Sequence, residues 1–456
     1  MKKKKALINI FFSLLLEVLT VVSGFIVPRF FILYYGSEVN GLINSITSFV
    51  GYITLLQAGV GSVIKVALYK PLAQKNHDEL CVIIKTAEIF FRKIAIATVI
   101  YLAVLAIVFS VYITPKFGWI YSASLVVIIG ISTAAQYFFG ISYQMLLEAD
   151  QRSYVYSLIQ IITVIVNTIA VVILTRHGLS VQLVKLASAI FFVLRPLVMG
   201  LYSKRYYKIN THVKPNNDLI KQRWDGFAQA IAYFIHSKTD VFVLTIFSTL
   251  TNVAVYSVYA MVTAGLSALI NAIDKAVRSA FGNIIAGDEQ DNLKKSFNAY
   301  SILLHMLSTA FFATASITVF NFMWVYVKNV SDADYIQPLF GLLIIAAEYL
   351  YCLRMPYNSI IYAAGKFKET KVSAGLEAVI NIVISVSLVQ KFELVGVAIG
   401  TIIAMAYRTI AFIVYLHKNV LCLKYMSELK RYGISLLSYV ISILGFSRIS
   451  IETGNY

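Results

Sequence analysis

KKKKALINIFFSLLLEVLTVVSGFIVPRFFILYY, residues 2–35, decides the fold. Four lysines lead into an apolar run that reaches Tyr35 with Glu17 and Arg29 as its only charges. A secretory leader has an apolar region of about 7–15 residues and then a small-x-small cleavage site; this run is far longer and no such site follows. Roughly 20 apolar residues cross the hydrocarbon of a bilayer. The segment therefore reads as a retained first membrane helix with its lysines on the cytoplasmic side.

The rest of the chain has the same character. Of 456 residues, 59% are apolar and 13% are charged, against about 25% charge in a soluble domain. That excludes an ordinary soluble enzyme, a disordered chain and a secreted disulfide scaffold. Cys81, Cys352 and Cys422 form no CxxC pair and suggest neither a metal site nor a disulfide framework. The expected fold is an all-α polytopic membrane protein. Helices are expected at about 6–35, 39–64, 94–114, 119–147, 154–175, 180–203, 224–250, 252–273, 297–327, 337–364, 372–390 and 394–417, with a shorter thirteenth at about 433–447. Trp119, Trp224 and Trp324 each fall near an expected helix end, where an amphipathic ring prefers the interface.

The net charge of +17 would suggest nucleic acid in a soluble protein; here it reads as topogenic, with no nucleic-acid partner. With the N-terminus inside, 28 of the 39 Lys and Arg fall in cytoplasmic segments, five in outer loops and six within helices. That bias sets the orientation. Outer loops are short. Longer amphipathic stretches near 65–93, 204–223 and 274–296 lie on the inner side, and no loop is large enough for a separate catalytic domain.

An internal repeat runs at a shift of about 214 residues. Lys65, Ala73, Asp78 and Leu80 match Arg278, Ala286, Asp291 and Leu293; Asn167 matches Asn381, and Arg195 matches Arg408. Each repeat would hold six helices, an even number, so both halves enter the membrane from the same side, with the substrate path between them. The expected domains are an N-terminal bundle at 1–203, a basic cytoplasmic linker at 204–223 around Pro215-Asn216-Asn217-Asp218, and a C-terminal bundle at 224–418. A loop and the thirteenth helix follow at 419–456.

Six cations lie within the expected helices: Arg29, Lys185, Arg195, Lys238, Arg354 and Arg408. Burying each at a helix centre costs roughly 2.5–3.5 kcal/mol on insertion scales, so each needs a wet cavity, a counter-ion or a route to the interface. Lys185, near an outer end, is expected to snorkel. Arg195 and Arg29 lie about two turns from an end, where snorkelling and function both fit. Lys238, Arg354 and Arg408 sit at mid-depth, where the alternatives are substrate binding and buried ion pairing. Arg354 precedes Met355-Pro356, a site where a helix can break. The intramembrane acids are Glu17, Asp240, Glu348 and Glu377. His236 and Asp240 share a helix face at i, i+4. These groups serve either proton or sodium coupling or neutralisation of the cations. His305 reads as a packing residue.

Six cations against four acids leave the interior positive. That suits a ligand with a phosphate-bearing head and a hydrocarbon tail, since Arg and Lys pair with phosphate oxygens. Tyr34, Tyr35, Tyr233, Tyr349 and Tyr351 either stack on sugar faces or form interfacial belts. Gly365-Lys366 lacks the rest of a P-loop, nothing has zinc-ligand spacing, and no catalytic triad suggests itself. Gly396 and Gly400 form a GxxxG packing face. No catalytic residue, metal or cofactor is expected; energy would come from an ion gradient, the substrate's own gradient or a partner.

Three segments resemble the Wzx-like O-antigen and capsule polysaccharide flippases of the multidrug/oligosaccharidyl-lipid/polysaccharide exporter superfamily. Pro28-Arg29-Phe30 through Tyr35-Gly36-Ser37-Glu38-Val39-Asn40-Gly41-Leu42 is similar to that family's first outer turn, with Gln57-Ala58-Gly59-Val60-Gly61 following on helix two. Thr239-Asp240-Val241-Phe242-Val243-Leu244 with Val255-Tyr256-Ser257 resembles its aspartate-bearing seventh helix and the turn after it. Ala364-Gly365-Lys366 and Val395-Gly396-Val397-Ala398-Ile399-Gly400 resemble the segments that open helices eleven and twelve. The resemblance implies two six-helix bundles around a V-shaped cavity. It also implies movement of an undecaprenyl-pyrophosphate-linked oligosaccharide from the inner to the outer leaflet of the bacterial cytoplasmic membrane, for lipopolysaccharide or capsule synthesis, alongside membrane lipids, a polymerase and other glycan-assembly proteins. Asp240 is the polar position the motif carries over. Val241 stands where the family often has a basic residue, and the family's usual fourteen helices exceed the thirteen found, so a truncated end is one reading.

The function expected on these grounds is alternating-access transport of a lipid-linked oligosaccharide. Arg29, Lys238, Arg354 and Arg408, with Arg195, would form the cationic substrate site; Asp240, with Glu17, Glu348 or Glu377, would couple an ion. A drug antiporter of the same fold is the alternative, disfavoured by the positive interior. A membrane glycan polymerase or ligase is a further one, disfavoured by the short outer loops.

Overall fold

A computed structural model describes residues 2–57, 60–210, 213–216, 238–287, 289–421 and 425–446, which are helical apart from short connections, with no strand among them. Ten helical segments among them are long and apolar enough to cross a membrane. Their outward-facing positions stay apolar: Leu7, Ile100, Ile107, Met306 and Ile441 are each more than half exposed. The protein is an all-α polytopic membrane protein. Its chain divides into two compact units, Met1–Phe234 and Ile235–Tyr456.

In the first unit α1 (Lys2–Tyr35) is one helix that passes through Pro28. It packs on α7 (Ser153–Arg176) through Ser23 and Thr168, whose hydroxyls lie 2.6 Å apart. The single helix expected at 39–64 is interrupted. It forms α2 (Ser37–Gly51), a tighter turn over Tyr52–Gln57, and α3 (Val60–Gln74). The stretch expected as an inner amphipathic connection at 65–93 is helical almost throughout, because α4 begins at His77 and runs to Val108. Asn76 starts it: its side-chain oxygen accepts from the Glu79 N–H at 3.2 Å, satisfying one of the donors a helix start leaves open. Apolar periodicity alone missed this start because the first turns of α4 carry His77, Asp78 and Glu79.

The helix expected at 119–147 also divides, into α5 (Trp119–Phe139) and α6 (Ile141–Ala149), at Gly140. A Cβ there would come within 2.5 Å of Pro196 Cβ on α8 (Val181–Tyr207). The break is where two backbones press together. Where α3, α4 and α6 meet, Leu68, Ile84, Phe91 and Leu146 are fully buried. Of the expected linker, Asn210 and Asn216 donate their backbone N–H groups to Cys81 Sγ (3.3 Å) and Thr86 Oγ1 (2.9 Å) of α4; its residues 211–212 and 217–223 lie outside the described residues.

The second unit holds α9 (described over 238–247), α10 (Leu250–Ala286), α11 (Gln290–Tyr326), α12 (Pro338–Ala363), α13 (Phe367–Asn419) and α14 (Tyr425–Phe446). The inner stretch expected at 274–296 is again helical on both sides of a short turn. His77 and Gln290 open α4 and α11, and Ser153 and Phe367 open α7 and α13. Both pairs of helix starts keep the shift read from the sequence. The two helices expected at 372–390 and 394–417 are the arms of α13, parted at Glu393 (φ 47°, ψ −121°). α12 is not broken at Pro356; Tyr432 on α14 donates to the Leu353 carbonyl just before it at 2.8 Å. α14 starts at Tyr425, earlier than expected, and docks on α11: His305 Nδ1 and Ser435 Oγ are 2.8 Å apart, as expected of a packing histidine.

Candidate functional site

α13 builds the centre of the second unit by folding back on itself. A Cβ on Gly396 would come within 2.6 Å of the Leu388 carbonyl group, and one on Gly400 would strike Ser385 and Asn381. The GxxxG pair is therefore the packing face that lets the arms lie side by side. Across this seam Asn381 Nδ2 donates to Thr401 Oγ1 at 3.0 Å. Glu377 projects from the first arm and Arg408 from the second.

Arg354 on α12 meets Glu377 there. Arg354 Nη1 lies 2.7 Å from Glu377 Oε1, and Arg408 Nη1 lies 3.4 Å from Glu377 Oε2. The side chains of Arg354, Glu377 and Arg408 are 5%, 8% and 6% exposed. Two guanidinium groups share one carboxylate, which leaves the group positive. Phe412 lies under Arg408 at 4.4 Å and beside Arg354 at 5.8 Å, a stabilising arrangement for cations out of water. Arg354 Nε, Arg408 Nε and Arg408 Nη1 are buried with no hydrogen-bond partner among the described residues. The second contact to Glu377 is thus an ion pair by distance, without hydrogen-bond geometry. Buried donors without acceptors are costly; the two Nε–H groups lack an acceptor, and Arg408 Nη1 has only the long contact to Glu377.

One turn along the same seam, Asp240 forms a separate cluster. Its carboxylate accepts from Tyr256 of α10 at 2.9 Å and lies 3.0 Å from Thr401 Oγ1 through either oxygen. Asn381 Oδ1 is buried with no hydrogen-bond partner among the described residues. The Asp240 carboxylate and the Thr401 hydroxyl bring oxygens together at one buried point, the ligand type a hard cation prefers, and Asn381 turns its Nδ2 toward them. Glu348 on α12 accepts from Ser267 of α10 at 2.5 Å.

The sequence-predicted residues are divided between the units. Asp240, Glu348, Arg354, Glu377 and Arg408 belong to the second, with Lys238, which is half-buried and has no hydrogen-bond or ion-pair partner among the described residues. Arg29, Arg195 and Glu17 belong to the first. Arg29 is half-buried near the end of α1, whereas Glu17 is exposed on that helix. Arg195 lines a polar cavity with its guanidinium over Phe192 at 4.4 Å. The Lys185 ammonium sits over the Phe31 ring at 4.3 Å. Tyr349 is fully buried and pairs with Thr309 and Tyr439, so its face is taken up by packing. His236, Tyr233 and Trp224 lie outside the described residues.

Thr401, Asn381 and Tyr256 escaped the sequence reading as site residues, since neutral polar side chains raise no alarm in a charge count. One signal existed: Asn381 matches Asn167 in the repeat, and both are buried with a side-chain oxygen that has no partner among the described residues.

No family model matches the chain, and no curated protein matches it. Its fold has solved counterparts. The chain is 14% identical to the MATE multidrug transporter DinF-BH, covering 92% of this chain and 96% of that one with a TM-score of 0.66. It is 14% identical to an inward-facing multidrug resistance MATE family transporter of the MOP superfamily, covering 89% and 96% with a TM-score of 0.62. An outward-facing conformation of such a transporter is 13% identical, covering 88% and 94% with a TM-score of 0.52. The fold is MATE-like.

Proposed function

We propose that this chain is an alternating-access membrane transporter that moves a lipid-linked oligosaccharide with a pyrophosphate head from the inner to the outer leaflet of a bacterial cytoplasmic membrane. The observation that carries the reading is the pair of guanidinium groups on one carboxylate. Arg354 and Arg408 present two buried Nε–H donors with no partner among the described residues, a third donor, Arg408 Nη1, held only by a long ion pair, and a net positive charge in an apolar span. Phosphate oxygens accept from guanidinium groups in charge-assisted, often bidentate bonds, and a hydrocarbon tail can remain in lipid while the head is held. The sharing of a fold with proteins described in inward- and outward-facing conformations supports alternating access. The positive-inside count supports a cytoplasmic N-terminus.

Asp240, with Thr401 and Asn381, is the ion-coupling site in this reading. A monovalent cation held there would lie between α9 and both arms of α13, the second of which carries Arg408. Binding that favours one arrangement of these helices shifts the population toward it, which is how a gradient would drive the cycle. Lys238 is a further cationic contact within the second unit in this reading, and a glycan polymerase is the expected downstream partner.

The test is leaflet transfer of a fluorescent polyprenyl-pyrophosphate oligosaccharide in proteoliposomes. Wild-type protein accelerates transfer, and Arg408→Gln slows it about tenfold, the loss expected for one charged hydrogen bond. Unchanged transfer by this variant at equal protein level overturns the reading. A second reading, drug antiport, is favoured by the counterparts described as multidrug transporters. Efflux of ethidium without any lipid transfer would establish it instead.

A further inference from the structure

The first unit contains a cavity of about 370 Å³, within the range of small-molecule sites at its lower end. Its lining comes from five separate elements, and four of its residues are glutamines: Gln57 after α2, Gln136 on α5, Gln144 on α6 and Gln160 on α7. Among the described lining residues Arg195 on α8 is the one charged side chain, and none is a carboxylate. Tyr156 and Phe192 supply aromatic faces.

The break at Gly140 builds this arrangement. On an unbroken helix, residues eight apart are separated by about 12 Å along the axis. Here Gln136 Nε2 donates to Gln144 Oε1 at 3.2 Å, and Gln144 Nε2 donates in turn to Glu148 at 2.9 Å. The amides are thus oriented by one another rather than left to rotate. Gln57 Oε1 and Arg195 Nε are buried and have no partner among the described residues. An acceptor and a donor therefore go unused in a pocket where Gln136, Gln144, Thr54 and Ser132 are held by hydrogen bonds.

Carboxamides offer two donors and an acceptor's two lone pairs at fixed geometry, which matches the alternating donor and acceptor character of ring hydroxyls. Aromatic faces cover the apolar C–H face of a sugar ring. A single guanidinium with no carboxylate in the lining, the nearby Glu148 being paired with Lys65 at 3.1 Å, disfavours an organic cation and tolerates one acidic substituent. An apolar drug would leave the amides unpaired at a cost.

We propose that this cavity binds one sugar ring, neutral or carrying a single acidic group, of the oligosaccharide being moved. The identity of the ring as part of a transported glycan rests on the proposed transport reaction; the binding of a sugar does not.

The experiment uses the full chain in lipid nanodiscs with free N-acetylglucosamine, galactose and glucuronic acid as probes, followed by saturation-transfer NMR. At least one sugar binds the wild type. Gln57→Leu and Gln160→Leu, on different elements, each weaken binding about fivefold or more, and Arg195→Gln selectively weakens glucuronic acid. With every amide intact, the thiol introduced by Ser132→Cys in the lining is shielded from maleimide by the bound sugar, so the test survives a leucine variant that fails to fold. Absence of binding by the wild type, undiminished binding by both folded leucine variants, or shielding of that thiol by tetraphenylphosphonium but by no sugar overturns the inference. Sugar binding in the cavity without lipid transfer would sink the transport reading alone. Lipid transfer without sugar binding would sink this inference alone.

Discussion

Arg354 on α12 and Glu377 on the first arm of α13 form a buried ion pair at 2.7 Å, and the pair is not closed, because Arg408 leans on the same carboxylate. In a buried pair, attraction repays the desolvation of two ions only where the geometry is excellent. Here one anion serves two cations, so the carboxylate matters more to the fold than either arginine.

Replacing that carboxylate should therefore be the most damaging single change in the cluster. Glu377→Gln leaves two guanidinium groups facing each other out of water and should cost about 3–5 kcal/mol. Arg408→Gln, which removes the surplus cation, should cost much less and should recover part of the loss when combined with Glu377→Gln. Thermal unfolding of the purified variants in detergent measures both, and additive effects in the double variant would show that the groups do not interact.

The Asp240 cluster predicts a cation dependence of stability. A ligand that binds only the folded chain stabilises it by about 2.7 kcal/mol at one hundred times its dissociation constant. Raising sodium at constant ionic strength, with choline as the replacement, should raise the melting temperature of the wild type. Asp240→Asn should abolish the response and Asn381→Ala should weaken it. A wild type indifferent to sodium would assign the coupling to protons or remove the cluster from it.

Glu428 is fully buried where α14 meets the bundle, accepting from Tyr357 at 2.6 Å and from Arg431 at 2.9 Å. Glu428→Gln weakens both bonds and removes the charge facing Arg431, whose other hydrogen-bond partner among the described residues is the neutral Asn298. The loss should be about 1–3 kcal/mol, read as a lower unfolding temperature. Tyr357→Phe, which removes one donor and leaves the ion pair, should lose less.

Much of this architecture was legible because membrane spans announce themselves by apolar length, and the turn at Glu393 and the packing role of Gly396 and Gly400 were legible from spacing. Where reading failed, the cause was local. Asn76 extends α4 backwards through a polar turn that hydropathy scores as loop. Gly140 divides α5 from α6 because Pro196, distant in the chain on α8, presses against it. Charges were found and their company was not: that Arg354 and Arg408 share Glu377 depends on the α13 hairpin, whereas nothing about the isolated residues separates a shared acid from two private ones. Thr401 and Asn381 carry no charge, so their role emerged only from what they touch.

The hairpin also offers the sharpest contrast between two glycines on one helix. Gly375 has no atom within 4 Å of where a Cβ would stand, whereas Gly400 faces the Ser385 backbone nitrogen at 2.9 Å and the Asn381 carbonyl at 3.2 Å. Alanine at 375 removes backbone freedom from the unfolded chain without a clash and should stabilise by about 0.5–1 kcal/mol. Alanine at 400 must push the arms apart and should destabilise by about 1–3 kcal/mol. Because Thr401 is the next residue, meets Asn381 across the same seam and reaches Asp240 on α9, Gly400→Ala should also blunt the sodium response, which Gly375→Ala leaves intact. Melting curves of the two variants with and without sodium separate a packing effect from an ion-site effect, and equal behaviour of the two would mean that the arms of α13 do not pack as closely as described.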